Sequence, residues 1–157
     1  MEPIIPVIDG SDALAMLAEA VERKGSEHMY ESQHDPEGMI PGGCLYIHGT
    51  ELVHEGHDDY GDSVYVEVAT DCMQPGCIVG NALVGRGVPM EKFVNLKVNQ
   101  DTPVDDLLGV FVDHGIVGEV NEAAQDVFRA AQTCQDQGIS WGTAYIRARE
   151  SLGMYQD

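Results

Sequence analysis

The side chains best suited to chemistry gather between Cys44 and Cys77: Cys44, His48, His54, His57, Asp58, Asp59, Asp62, Cys72 and Cys77. A structural zinc site draws four nitrogen or sulfur ligands into a tetrahedron, usually from pairs roughly two to four residues apart. His54-x-x-His57 makes such a pair, and Cys72-x-x-x-x-Cys77 makes a looser one. No second Cys-x-x-Cys accompanies them, and Pro75 restricts how the Cys72 segment can fold back. The metal candidates are therefore Cys44, His48, His54, His57, Cys72 and Cys77. The competing reading makes Cys77 a small core residue of a buried helix, Cys44 a strand residue and the histidines solvated. Asp58-Asp59-Tyr60-Gly61-Asp62 lacks the alternating oxygen ligands and terminal Glu of a calcium loop.

A cysteine nucleophile needs its thiolate stabilised by a helix N-terminus or a nearby cation. Cys77 fits the first condition if it lies in a first helical turn, but the sequence does not place a histidine beside it as base. Other templates fail. Gly80-Asn81-Ala82-Leu83-Val84-Gly85 lacks the Gly-Lys-Ser/Thr ending that grips phosphates, and Gly85-Arg86-Gly87 is too short for a dinucleotide fingerprint. There is no Gly-x-Ser-x-Gly elbow. With 27 acids some close carboxylate pair is inevitable, so a pair carries no information. The sequence thus supplies no complete catalytic set.

The elements that must position these residues can be read locally. Ile4 to Ile8 is apolar but interrupted by Pro6, which predicts an extended arm or an edge strand. A helix follows, with Ser11 as cap, Asp12 at its positive end, Leu14, Leu17, Ala18 and Val21 on one stripe, and Gly25 as stop. Ser26 to Gly43 reads as loop, with Asp35-Pro36-Glu37-Gly38 and Pro41-Gly42-Gly43 as turns and Met29-Tyr30 as a short strand at most. Cys44 to His48 reads as a strand, and Ser63 to Val68 as a second with Val64, Val66 and Val68 on one face. Between them, Gly49 to Asp62 is either a long loop or, over Glu51 to His54, an extension of the hairpin. Gln74 to Val84 predicts a buried helix with Pro75 at its first position. Leu96 to Asn99 could be a brief strand. Three further helices are predicted. One starts at Thr102-Pro103, one runs from Glu122 to Gln137 behind Asn121, and the last runs from Trp141 to Leu152 behind Ser140.

At 157 residues the chain fits one domain. Eight Lys plus Arg against 27 Asp plus Glu leave a net charge of −19. Sixteen of the acids and only two of the bases precede Cys72. So acidic a chain has no basic face for nucleic acid or an anionic membrane. Its field is explained by solvation of a surface in an acidic proteome or at high salt, or by a face that docks on a basic partner or imitates a nucleic-acid backbone. The N-terminus opens acidic and proline-broken, without the pattern of a secretory signal, and no run is long enough for a membrane helix, so a cytoplasmic protein with reduced thiols is expected.

Cys44-Leu45-Tyr46-Ile47-His48-Gly49, Pro75-Gly76-Cys77-Ile78-Val79-Gly80 and the stretch from Gln132 through Gln135-Asp136-Gln137-Gly138 to Trp141-Gly142 resemble uncharacterised small accessory proteins of actinobacterial phages. That resemblance implies a phage accessory protein working in the host cytoplasm, and brings no activity or catalytic residue with it. The combined expectation is an α+β fold: a small antiparallel sheet, a hairpin of the Cys44 and Ser63 strands, packed against four to five helices. Residues 1–10 would form an extended apolar arm and residues 11–157 a single domain. The function expected is non-enzymatic binding of a host or phage protein, with a nucleic-acid mimic as its sharper form. The alternative is a zinc-binding or cysteine-dependent enzyme centred on Cys44 to Cys77. Homo-oligomerisation through the apolar arm is compatible with each reading.

Overall fold

A computed structural model describes residues 2–31, 45–100 and 102–153. The fold is α+β, with six helices and three two-stranded sheets among these residues. In chain order the elements are β1 (Ile5–Ile8), α1 (Gly10–Lys24), β2 (Ile47–His48), β3 (Glu51–His57), β4 (Ser63–Val68), β5 (Gln74–Pro75), α2 (Ile78–Gly85), α3 (Met90–Asn95), α4 (Val104–Asp113), β6 (Val117–Val120), α5 (Glu122–Asp136) and α6 (Trp141–Gly153).

Helix α1 starts two residues earlier than the serine cap predicts. Asp9 is the cap: its carboxylate accepts from the Asp12 N–H at 2.7 Å while the Asp12 carboxylate accepts from the Asp9 N–H at 3.0 Å. This reciprocal box satisfies two donors where a lone Ser11 hydroxyl would satisfy one. Gly25 stops the helix at φ 99°. Ala13, Met16, Leu17 and Ala20 turn inward, and α1 packs against α2, α5 and α6. The antiparallel pair α5 and α6 is joined through Gly138 at φ +79°, and Asn121 caps α5 by accepting from the Ala124 N–H at 3.0 Å. Trp141, Phe93, Phe111 and Phe128 are fully buried among aliphatic side chains.

The apolar N-terminal stretch is laid into this body. Ile5 to Ile8 forms a parallel pair with Val117 to Val120, and Ile8 is fully buried beneath it. Strand β6 is absent from the sequence expectation, because Val-Gly-Glu-Val is too short to stand out from the loop between two helices.

Other expectations are corrected. The partner of the Ser63 strand is not the Cys44 strand but Glu51–His57, in the register Glu51 with Val68 and His54 with Tyr65, which takes up the alternative of a hairpin over Glu51 to His54 and carries it on to His57. The described part of that Cys44 strand is only Ile47–His48, and it pairs with Gln74–Pro75. The helix expected from Gln74 therefore begins at Ile78, because Gly76 and Cys77 first donate to the Tyr46 and Leu45 carbonyls at 2.8 and 3.1 Å. Thr102 does not cap α4, since its hydroxyl donates instead to the Gln100 carbonyl at 2.9 Å. Leu96 to Asn99 and Met29-Tyr30 form no strand; Leu96 closes α3, and Lys97 takes the left-handed conformation at φ 58°. The turns expected between Asp35 and Gly43, and Cys44 itself, lie outside the described residues.

Candidate functional site

The three sequence strings that carry the resemblance meet in one junction. The Leu45 and Tyr46 carbonyls receive the Cys77 and Gly76 N–H groups, and the Ile78 N–H donates to the Gln135 side-chain carbonyl at 2.7 Å. Backbones approach so closely that a Cβ on Gly80 would lie 2.2 Å from the Tyr46 oxygen, and one on Gly76 2.5 Å from the Leu45 oxygen. Asn81, nearly fully buried, donates to the Gly76 and Cys77 carbonyls at 3.2 and 3.0 Å. Asn99 works the same way on the other side of β2. Its amide accepts from the Ile47 N–H at 2.7 Å and donates to the Ile47 carbonyl at 3.0 Å, so a side chain stands where a neighbouring strand would. Such buried amides satisfy backbone groups that would otherwise cost roughly 1–3 kcal/mol each. These strings thus hold the β2, β5 and α2 backbones together.

Cys77 belongs to that architecture. Its side chain is fully buried and its sulfur accepts from the Gly80 N–H at 3.4 Å, capping α2. A helix N-terminus does favour a thiolate, but no substrate can reach a sulfur with no exposed surface. Cys72 is exposed on the turn after β4. His48 is half-buried, with Tyr30 edge-on to it and the Tyr30 phenol oxygen 2.9 Å from Nε2. The same phenol oxygen accepts from the Leu45 N–H at 3.0 Å. Burial, together with the Lys24 charge, pushes the His48 pKa down.

His54 and His57 lie on β3, not in a loop. Three residues apart on a regular strand they would face opposite ways. A bulge between His54 and Gly56 inserts Glu55, reverses the alternation beyond it, and returns His57 to the His54 face. Their ring centroids are 5.3 Å apart, and His54 also meets the Tyr65 ring at 5.4 Å. Among the described residues, no group of three or more His, Cys, Asp or Glu side chains is arranged to hold a metal ion. Five of the six candidate ligands lie among the described residues, Cys44 being the exception: His54 and His57 meet, and His48, Cys72 and Cys77 complete no metal-holding group with them or with each other.

The hairpin β3–β4 carries Glu51, Glu55, Asp58, Asp59, Asp62 and Glu67 and no Lys or Arg. Its tip is ordered by Asp58, whose carboxylate accepts from the Tyr60 and Asp62 N–H groups at 2.9 and 3.0 Å, with Gly61 at φ +82°. Glu67 is held at the base, accepting from Thr50 at 2.7 Å and from Asn99 at 2.9 Å. The other five acids are exposed. Between β4 and α3 lies a groove of about 550 Å³, lined by Val64, Val66, Val68, Ala69 and Val94 with Glu55, Glu67 and Lys97 at its polar margin. The sequence reading missed it. The Ser63–Val68 alternation was visible, but that one edge of the strand would stay unpaired depends on where α3 packs.

No helix of the described residues is long and apolar enough to cross a membrane. Comparison with family models, curated proteins and solved structures returns no match for this chain.

Proposed function

We propose that this chain is a non-enzymatic, acidic accessory protein that binds a basic protein partner, of phage or host origin, through the β3–β4 hairpin. The observation that carries this reading is the placement of charge. Five exposed acids and no Lys or Arg lie on one hairpin that also offers apolar surface, with Val53 44% and Tyr65 45% exposed. Acids scattered for solubility would alternate with bases and avoid such surface. A zinc-binding or cysteine-dependent enzyme has less support. The His54–His57 pair gains no third ligand among the described residues, and the Cys77 sulfur is enclosed.

Net charge alone draws any acidic protein to a polycation, so the test compares placement at equal charge. Glu55→Gln/Asp59→Asn/Asp62→Asn on the hairpin and Asp113→Asn/Glu122→Gln/Glu150→Gln elsewhere both remove three exposed acids. Affinity for poly-lysine is measured by titration at several salt concentrations. The hairpin triple is expected to weaken binding several-fold more than the control triple, with a shallower salt dependence. Equal weakening by the two triples would mean the hairpin is not the docking element.

A further inference from the structure

We infer that the outer edge of β4, with the groove beside it, takes an extended basic segment of a partner protein as an added strand, a proposal that rests on the partner-binding reading above. Among the described residues β4 pairs only with β3, so the backbone along its other side lacks a strand partner. An open edge is a template for pairing, and folds that must stay monomeric blunt it with lysines, prolines or a covering element. Ser63–Val68 contains no Pro and no Lys, and what lies alongside is a groove.

The shape suits a strand better than a helix or a compact ligand. The groove runs along five consecutive β4 residues, Val64 to Val68, and its far wall is formed by Val94 and Asn95 of α3. An added strand would lie about 4.8 Å from β4 and alternate its side chains between the groove and solvent. The groove-facing positions would be small and apolar, to meet Val64, Val66, Val68 and Ala69. The alternate positions would be basic.

Charge selects the occupant. A second copy could pair β4 with β4 about a two-fold axis, but that would bring two hairpins of six acids each together without a single Lys or Arg between them. Like charges directly opposed on a sheet are destabilising. A segment carrying Lys or Arg at every other residue reverses that sign: its basic side chains share the sheet face of Glu67, which alternates with the valines along β4, and run toward the tip acids. Lys97 is the cation in the groove lining, and it disfavours a basic side chain at the α3 wall, which is consistent with apolar residues facing inward.

The probe is a capped peptide of about seven residues alternating Lys and Val, long enough to cover β4. The controls are a Glu/Val peptide, the Lys/Val peptide with a central Pro, and poly-lysine. Binding is followed by amide hydrogen exchange and NMR shifts on the whole chain. The expected result is slowed exchange at alternate amides of Val64 to Val68, those turned away from β3, with the Lys/Val peptide alone. Ala69→Arg, an exposed change that fills the groove and adds like charge, should weaken that peptide about tenfold or more while leaving poly-lysine binding nearly unchanged. Binding that shifts only Asp58 to Asp62, or poly-lysine binding without Lys/Val binding, would overturn the edge proposal and leave the acidic-surface reading standing. Failure of both probes would remove both. Protection of the same amides on raising protein concentration alone, with dimer in sedimentation, would assign the edge to a second copy and overturn the basic occupant.

Discussion

At the scale of single residues, His48 shows how packing gives a candidate ligand a structural place. Its ring is half-buried beside Tyr30 and presses on Gly76, where an added Cβ would lie 2.8 Å from Nε2. Desolvation, reinforced by Lys24, lowers its pKa in the folded chain, whereas the unfolded chain titrates near the ordinary value of about 6.5. Between those two values the unfolded state holds more protons than the folded one, so stability rises with pH across that window. The contribution is complete above about 6.5 and is lost as pH falls toward the lower folded value. Urea unfolding at pH 7.5 and pH 5.5 should show the loss, and His48→Gln should flatten the slope in this window without abolishing folding. An unchanged slope would mean that His48 is not the group responsible. None of this was legible beforehand. The sequence marked His48 as a possible ligand by type, but Tyr30 lies 18 residues away, and no spacing rule joins them. Asn99 is a similar case, since an amide that replaces a strand partner looks like any loop Asn until the backbone it serves is in place.

Among the elements, glycine tests whether a helix is governed by its own propensity or by its neighbours. Gly80 in α2 and Gly109 in α4 both sit inside helices, where Ala should be better by about 0.8–1.0 kcal/mol on propensity alone. At Gly109 nothing lies within 4 Å of an added Cβ, so Gly109→Ala is expected to stabilise the fold by nearly that amount. At Gly80 the added carbon would meet the Tyr46 carbonyl oxygen at 2.2 Å, and this neighbour is backbone held by its own hydrogen bond to Gly76. Overpacking of roughly 1–3 kcal/mol should then outweigh the propensity gain, so Gly80→Ala is expected to destabilise. Urea midpoints of the two variants moving in the same direction would show that α2 is less tightly docked on β2 than described. Helices were the legible elements for a related reason: α1, α5 and α6 carry apolar stripes and stop signals that are local, as Gly25 and Gly138 show. The hairpin was half legible. Ser63–Val68 alternates cleanly, and Glu51 to His54 was one of two readings of its partner, but that stretch is acidic and His-rich and the Glu55 bulge breaks the period-two pattern that would have carried it to His57. The start of α2 was misplaced because Pro75 suits a first helical turn and an edge pairing equally well.

For the whole molecule, charge is the dominant unbalanced quantity. A net −19 over 157 residues repels itself in the compact state, and most of that charge lies before Cys72. Little opposes it. Arg86 grips Glu19 through two hydrogen bonds at 2.7 and 2.8 Å, and Arg129 bridges Asp105 and Asp126, but these side chains are partly exposed and such pairs contribute about 0–1 kcal/mol each. Salt weakens both the repulsion and the pairs, and the excess of 19 negative charges decides which loss matters more. At about 0.01 M the screening length is about 30 Å, comparable with the molecule, and near 0.1 M it falls to about 10 Å. Raising NaCl from about 0.01 to 0.3 M should therefore raise Tm by several degrees, since about 1 kcal/mol corresponds to roughly 2–4 °C at this size. Neutralising the hairpin acids should recover part of that gain at low salt, because it removes the densest cluster. The control triple should recover less. If the two triples recover equal shares, the hairpin charge is well solvated and imposes little strain. If the hairpin triple recovers more, the fold is carrying a repulsive cluster that a basic partner would relieve, and the same residues that weaken the free protein are those that would bind.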